Sequence, residues 1–151
     1  MDEEAGTHVL NDGTVRIVIP VPPVTKKNHS QIVQNGENAR PFLVPSSSYQ
    51  AYVRECLWFL KPLGIEAPVN VEAHFYVARR SRIDLENLNA ALHDVLTVGG
   101  VLRDDNAWII VSTDGSRVHY DKTHPRTEVV ITPTQATFPK AEKSKKEKAG
   151  R

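Results

Sequence analysis

Between Val69 and Leu96 the hydrophobic period changes from two to about 3.6, and that change limits the fold more than any other feature. Val69, Val71, Ala73, Phe75 and Val77 alternate with Asn70, Glu72, His74 and Tyr76. Side chains of a strand point to opposite faces in turn, so the pattern predicts a strand with one buried face and one wetter face. Leu85, Leu88, Leu92, Val95 and Leu96 then recur at helical spacing. They predict a helix over about 85–97 with Asp84 as its cap and Gly99-Gly100 as its end.

Weaker signals surround this unit. Thr14 to Val21 reads as a strand, stopped by Pro20, Pro22 and Pro23. In the connection over 24–45, Ser30–Gln34 and Arg40–Val44 flank Asn35-Gly36 and predict a loose hairpin. Ser46-Ser47-Ser48 opens a second helix, with Ser47 and Gln50 spaced for a capping box. Its stripe is Tyr49, Tyr52, Val53, Cys56, Leu57 and Leu60, and Pro62 and Gly64 end it. Further strands are expected near Trp108–Thr113, Arg117–Tyr120 and Thr127–Thr132, with a turn at Asp114-Gly115. The order predicts an α+β fold: a small mixed sheet with two main helices on one face. Residues 1–13 read as a flexible acidic leader, 14–132 as one folded domain and 133–151 as a disordered lysine-rich tail.

Composition narrows the class. The single cysteine, Cys56, excludes an internal disulfide framework and fits a reducing compartment. It falls on an apolar helical stripe and reads as core rather than nucleophile. No apolar run approaches the roughly 20 residues of a membrane span, and the start Met1-Asp2-Glu3-Glu4 is unlike a secretory signal. The expectation is a cytoplasmic protein without membrane partners. Net charge is +1, but its distribution is uneven: the first thirteen residues carry −4 and Lys140–Arg151 carry +4. Affinity for a polyanion must therefore come from local patches such as Lys26-Lys27 and Arg79-Arg80-Arg82.

Two acidic clusters hold the candidate chemistry: Asp84 and Glu86, then Asp104-Asp105-Asn106 one helix later. A plain structural reading exists for each. Acids favour a helix start, and Asp-Asp-Asn is an ordinary turn. The functional reading is that the helix and its glycine turn carry the second cluster back towards the first. Oxygen-rich sets of this kind suit Mg²⁺ or Mn²⁺, and carboxylate-held metal beside arginines suggests chemistry on a phosphate. Six histidines show no zinc spacing, and His93 reads as a surface residue.

These residues carry a resemblance. Arg82–Asn106, with Asp84-Leu85-Glu86-Asn87-Leu88, Ala91-Leu92, Asp94, Gly100-Val101 and Asp104-Asp105, resembles the core of the RusA family of Holliday junction resolvases. Ile19-Pro20-Val21-Pro22-Pro23 with Lys26-Lys27-Asn28 resembles the family's first strand and the loop after it. Pro45-Ser46 through Tyr52 resembles its first helix, so the likeness spans about 14–132. It implies a RusA-like fold and a homodimeric, Mg²⁺-dependent endodeoxyribonuclease that nicks opposed strands of a four-way DNA junction in recombination and repair. It also implies a bacterial, phage or prophage origin. Asp84, Glu86 and Asp105 match the metal-binding carboxylates, Asp104 the neighbouring acid, and Asn87 the asparagine after the first pair.

Two positions depart from the pattern. Ala90 stands where some members have a helix lysine, and Ile83 where some have a basic residue. Lys27, assisted by Arg82, is expected to supply the missing charge near the scissile phosphate. Lys26, Lys27, Arg79, Arg80, Arg82 and Asn87 are the expected DNA contacts, with Arg40 a weaker candidate. The competing functions are a non-catalytic junction binder, a metal nuclease for other branched nucleic acids, and a plain interaction module.

Overall fold

A computed structural model describes residues 4–26, 30–33, 42–45 and 47–137. Its centre is a strand of nine residues, Val69–Val77 (β5), as the alternation predicted. Four strands precede it: Gly6–Val9 (β1), Val15–Ile19 (β2), Ser30–Val33 (β3) and Phe42–Pro45 (β4). Ile110–Ser112 (β6), Arg117–Tyr120 (β7) and Arg126–Pro133 (β8) follow it. The helices are Ser47–Leu57 (α1) and Leu85–Val98 (α2).

Six strands form one mixed sheet in the order β1-β2-β8-β5-β6, with β7 also on β5. The pairs β1/β2, β2/β8 and β8/β5 are antiparallel. On the other edge of β5, β6 pairs in parallel with its start and β7 in parallel with its end. β3 and β4 make a separate antiparallel pair, as the expected hairpin requires; Asn35-Gly36, where the turn was expected, lies outside the described residues. The fold is α+β, as expected.

One face of the sheet is covered. Val71, Ala73 and Phe75 of β5, Ile17 and Ile19 of β2, and Val129 and Ile131 of β8 are buried against Leu88, Leu92, Val95 and Leu96 of α2. Tyr49, Tyr52 and Cys56 bring α1 into the same core. Burial pushes the Cys56 thiol up to about 12, which fits packing rather than reactivity. Truncating a wholly buried leucine such as Leu92 to alanine in such a core costs about 2–5 kcal/mol.

Three expectations are corrected. Gly6–Val9 is a strand, so the flexible leader does not include it: its backbone pairs with Val15–Val18. Ser47 is the first residue of α1 rather than its cap, and Ser46 lies outside the described residues. α1 stops at Leu57, where Leu60 N–H bonds to the Leu57 carbonyl three residues back, so Leu60 packs from the trailing chain. The lysine-rich tail lies outside the described residues from 138 onward.

α2 ends as its sequence requires. The Gly99 N–H bonds to the Val95 carbonyl, and a Cβ on Gly99 would stand 2.6 Å from Leu60 Cδ1. The returning chain is then fixed. Val101 N–H bonds to Leu96 O, Ile65 N–H to Val101 O, and Arg103 N–H to Ile65 O. This zipper aims the acidic loop at 103–106.

Candidate metal and DNA site

Asp84 sits in extended conformation as the N-cap of α2, and its Oδ1 accepts the Glu86 N–H at 2.9 Å. Ile83 and Leu85 alternate with the acids and pack partly buried on the core. That alternation leaves Asp84 and Glu86 exposed at the helix start, where the macrodipole favours negative charge. Ile83, one of the two departures from the family pattern, therefore serves packing. Asn87 is half-buried and Ala90 exposed.

The two acids of the second cluster differ in role. Asp104 Oδ1 accepts the Asp105 N–H at 2.7 Å and its Oδ2 accepts from Asn106 Nδ2 at 3.1 Å. Asp104 thus uses both oxygens to shape its turn. The exposed Asp105 is electrostatically coupled to His93, in the middle of α2. Burial holds the His93 imidazole below its ordinary value, and the Asp105 charge only partly offsets it. His93 is therefore partly buried, not the surface histidine expected.

The acidic loop has come partway back along α2. Seven residues separate Glu86 from His93, about 10 Å of helix rise. Among the described residues, no three of His, Cys, Asp and Glu gather closely enough to hold a metal ion. Two polar atoms between the clusters are buried without a hydrogen-bond partner among the described residues: Asn89 Oδ1 and His93 Nε2. Residues 86, 89 and 93 follow at three- and four-residue steps, so they share one flank of α2.

The basic candidates fall in two places. Arg79, Arg80 and Arg82 are exposed on the segment joining β5 to α2, and the Arg80 guanidinium lies 4.9 Å from the Tyr120 ring centroid. Lys26 Nζ is 3.7 Å from Asp94 Oδ2, which also accepts the Tyr49 hydroxyl at 2.8 Å. Lys26 is therefore held against the α2 flank one turn beyond Ala90. Lys27 and Arg40 lie outside the described residues.

The uncovered sheet face carries a cluster that sequence reading missed. His74 bonds Glu72 at 2.6 Å through Nε2 and meets His119 Nε2 at 2.8 Å through Nδ1. His119 stacks on Tyr76, whose other neighbour is the Arg126 guanidinium 3.7 Å from its centroid. Arg126 pairs with both Asp121 and Glu128. The alternation placed Glu72, His74 and Tyr76 on the wetter face, but only the pairing of β7 with β5 brings His119 to them. A hollow of about 630 Å³ opens beside this cluster, lined by Pro20, Pro22, Tyr76, His124 and Arg126. It contains none of the candidate acids.

A family model described as Endodeoxyribonuclease RusA matches residues 20–132. No curated protein matches the chain at a significant level. The matched stretch holds both acidic clusters, the arginines before α2 and the lysines of the loop after β2.

Proposed function

The chain belongs to the RusA endodeoxyribonuclease family, and from that premise we propose a divalent-metal-dependent enzyme that resolves four-way DNA junctions by paired symmetric nicks. The family is one of nucleases acting on branched DNA, and such metal dependence is general in it. The finer reading is that Mg²⁺, or Mn²⁺ in its place, is the ion, that the enzyme works as a homodimer, and that it serves recombination and repair. Its setting would be the cytoplasm of a bacterial cell, encoded by the host, a phage or a prophage. No helix among the described residues is long and apolar enough to cross a membrane.

The observation that carries this reading is the family match across both acidic clusters. Donor chemistry supports the metal. Asp84, Glu86 and Asp105 offer carboxylate oxygens, and the unpartnered Asn89 Oδ1 lies on the flank between them. Asp84, Glu86 and Asp105 would hold the ion, with Asp104, engaged in its turn, at the edge of the set. A bound ion activates water and neutralises charge on the phosphate. The protein's part is to place the strand. Arg79, Arg80 and Arg82 contact phosphates, Asn87 adds a polar contact at the helix start, and shape rather than base sequence selects the junction.

Lys26 and Lys27 stand in for the absent helix lysine. Lys26 pairs with Asp94, one helical turn beyond Ala90 on α2. Lys27, assisted by Arg82, then supplies positive charge at the scissile phosphate. Lys27→Ala should lower turnover about 100-fold, the scale of losing one transition-state donor; unchanged turnover would refute the role.

A specific observation favours one other reading. The carboxylates are not gathered into a three-residue set, and Ala90 replaces the lysine. Both suit a junction binder without activity. The deciding experiment is cleavage of a synthetic four-way junction and a matching duplex, with Mg²⁺ or EDTA, for the native chain and Asp84→Asn. Paired nicks that need metal and vanish in the variant support the nuclease. Tight binding with no cleavage under any metal supports the binder.

A further inference from the structure

β7 has little to hold it in place. Among the described residues it pairs only with β5, over four residues, and its Val118 and Tyr120 are exposed. A strand with so few buried apolar contacts belongs to the less stable end of a fold. What adds to the backbone pairing is His119, on the open face opposite Tyr76.

His119 Nε2 lies 2.8 Å from His74 Nδ1, and His74 Nε2 lies 2.6 Å from Glu72 Oε2. The two imidazoles are 19° from parallel, with centroids 5.1 Å apart. Taking the bond from that separation leaves the length of two ring radii. The rings therefore meet edge to edge, with the shared hydrogen on the line between their centres. The donors follow from the chemistry. An ionised carboxylate only accepts, so His74 carries its hydrogen on Nε2. Its Nδ1 is then bare, and His119 donates from Nε2. Glu72 thus sets both tautomers.

We propose that Glu72, His74 and His119 form a one-proton clip that fastens β7 to β5 and opens in acid. One added proton leaves it shut. Whichever ring takes the charge, a single hydrogen still occupies the gap and the facing nitrogen still accepts it. Two added protons put a hydrogen on each facing nitrogen, and a 2.8 Å gap made for one must open.

The surrounding charges favour the same step. Facing the pair are Glu72 from β5, Arg117 from β7, and Arg126 and Glu128 from β8, with Glu128 directly across from His74. Asp121 pairs with Arg126, and the Tyr76 ring lies between Arg126 and His119. Lys122 and His124 follow on the exposed turn beyond Asp121. Three carboxylates against two guanidiniums are neutralised by one imidazolium and left positive by two. Burial first, then the charges of His74, Arg117 and Arg126, hold His119 below its ordinary value, against the pull of Glu128. What the clip adds to stability is therefore complete above about pH 6.5 and is lost as pH falls through the lowered value.

Tyr120 follows His119 on the strand, and Arg80 rests on its ring. Opening the clip unseats one arginine of the basic run before α2. The clip uses none of the candidate metal ligands, and it stands whether or not the chain cleaves DNA.

Amide hydrogen exchange in the full chain, corrected for each amide's intrinsic rate, tests the clip. The amides to follow are those of β7 and of Asp121, whose N–H bonds to the Val77 carbonyl. Between about pH 7 and 5 their protection should fall roughly tenfold relative to β8, the scale of one lost hydrogen bond. His119→Gln keeps a donor in the place of Nε2 without titrating, and should hold its protection throughout. His74→Asn offers an amide oxygen in the place of Nδ1 and should do the same, which covers failure of the first variant to fold. Imidazole nitrogen spectra of the native chain should find both neutral rings protonated on Nε2. Native β7 protection that stays level with pH, a fall just as large in either folded variant, or a neutral His74 protonated on Nδ1 would overturn the proposal.

Discussion

Asp84 has two duties that substitution can separate. Its Oδ1 caps α2, and its charge belongs to the proposed metal set. Asparagine caps about as well as aspartate, whereas alanine loses the cap and costs about 1 kcal/mol. Asp84→Asn should therefore keep its urea midpoint and lose at least about 100-fold in junction cleavage, since even outer partners of a metal cost 10–100-fold. Asp84→Ala should lose both activity and stability. His93 gives a pH signature. Burial lowers its folded value below the unfolded 6.5, so the unfolded chain takes up the proton first. Its contribution is complete above about pH 6.5 and is lost as pH falls towards the folded value. His93→Leu should flatten the dependence of the urea midpoint between about pH 7 and 5; an unchanged slope would place that dependence elsewhere. Asp84 as a cap was legible because the capping preference is local. The division between Asp104 and Asp105 was not, because it depends on which oxygens the turn itself consumes.

Among the elements, legibility followed the strength of the period. β5 and α2 appeared where the pattern placed them, since each repeats its apolar residues over more than two turns or pleats. β1 escaped because Gly6-Thr7-His8-Val9 has no alternation, and its support comes from β2 and from the Thr7 hydroxyl, which donates to the Phe59 carbonyl at 2.7 Å. The β6–β7 connection was read from Asp114-Gly115, and Gly115 does adopt φ +88°. A Cβ there would stand 2.8 Å from Glu72 Oε1 as well as strain the backbone. Gly115→Ala should cost about 1–2 kcal/mol of unfolding free energy. A chemical-denaturation curve with no shift would show that the turn relaxes freely. The edge on which β6 and β7 sit could not be read, because parallel pairing depends on where α2 carries the chain.

For the whole molecule, charge is divided between sequence ends and balanced between them, with +4 over Lys140–Arg151 and −4 over the first thirteen residues. Phosphate contacts release counterions, so junction affinity should fall steeply with salt. Removing residues 140–151 should reduce the slope of log affinity against log salt while leaving metal-dependent cleavage of bound junction intact. An unchanged slope would leave the tail without electrostatic contact to DNA. The distance between the acidic clusters is also a property of the whole: Asp105 reaches the level of His93 through the zipper of Ile65 with Val101 and Arg103, a long-range link that no local pattern announces.

The position of β8 has a consequence for how the protein is made. β8 lies between β2 and β5, so two strands from the first half of the chain are joined by the last strand of the sheet. Val15 waits for Ile131, and Val71 waits for the same residue. Until that segment has left the ribosome, β2 has only β1 beside it, and β5 has one unpaired edge. An emerging chain can therefore form helices and a hairpin but not the floor on which α2 rests. The acids at the start of α2 are not held on a finished scaffold until β8 has paired with both neighbours, so the proposed metal set is assembled only after that strand is in place.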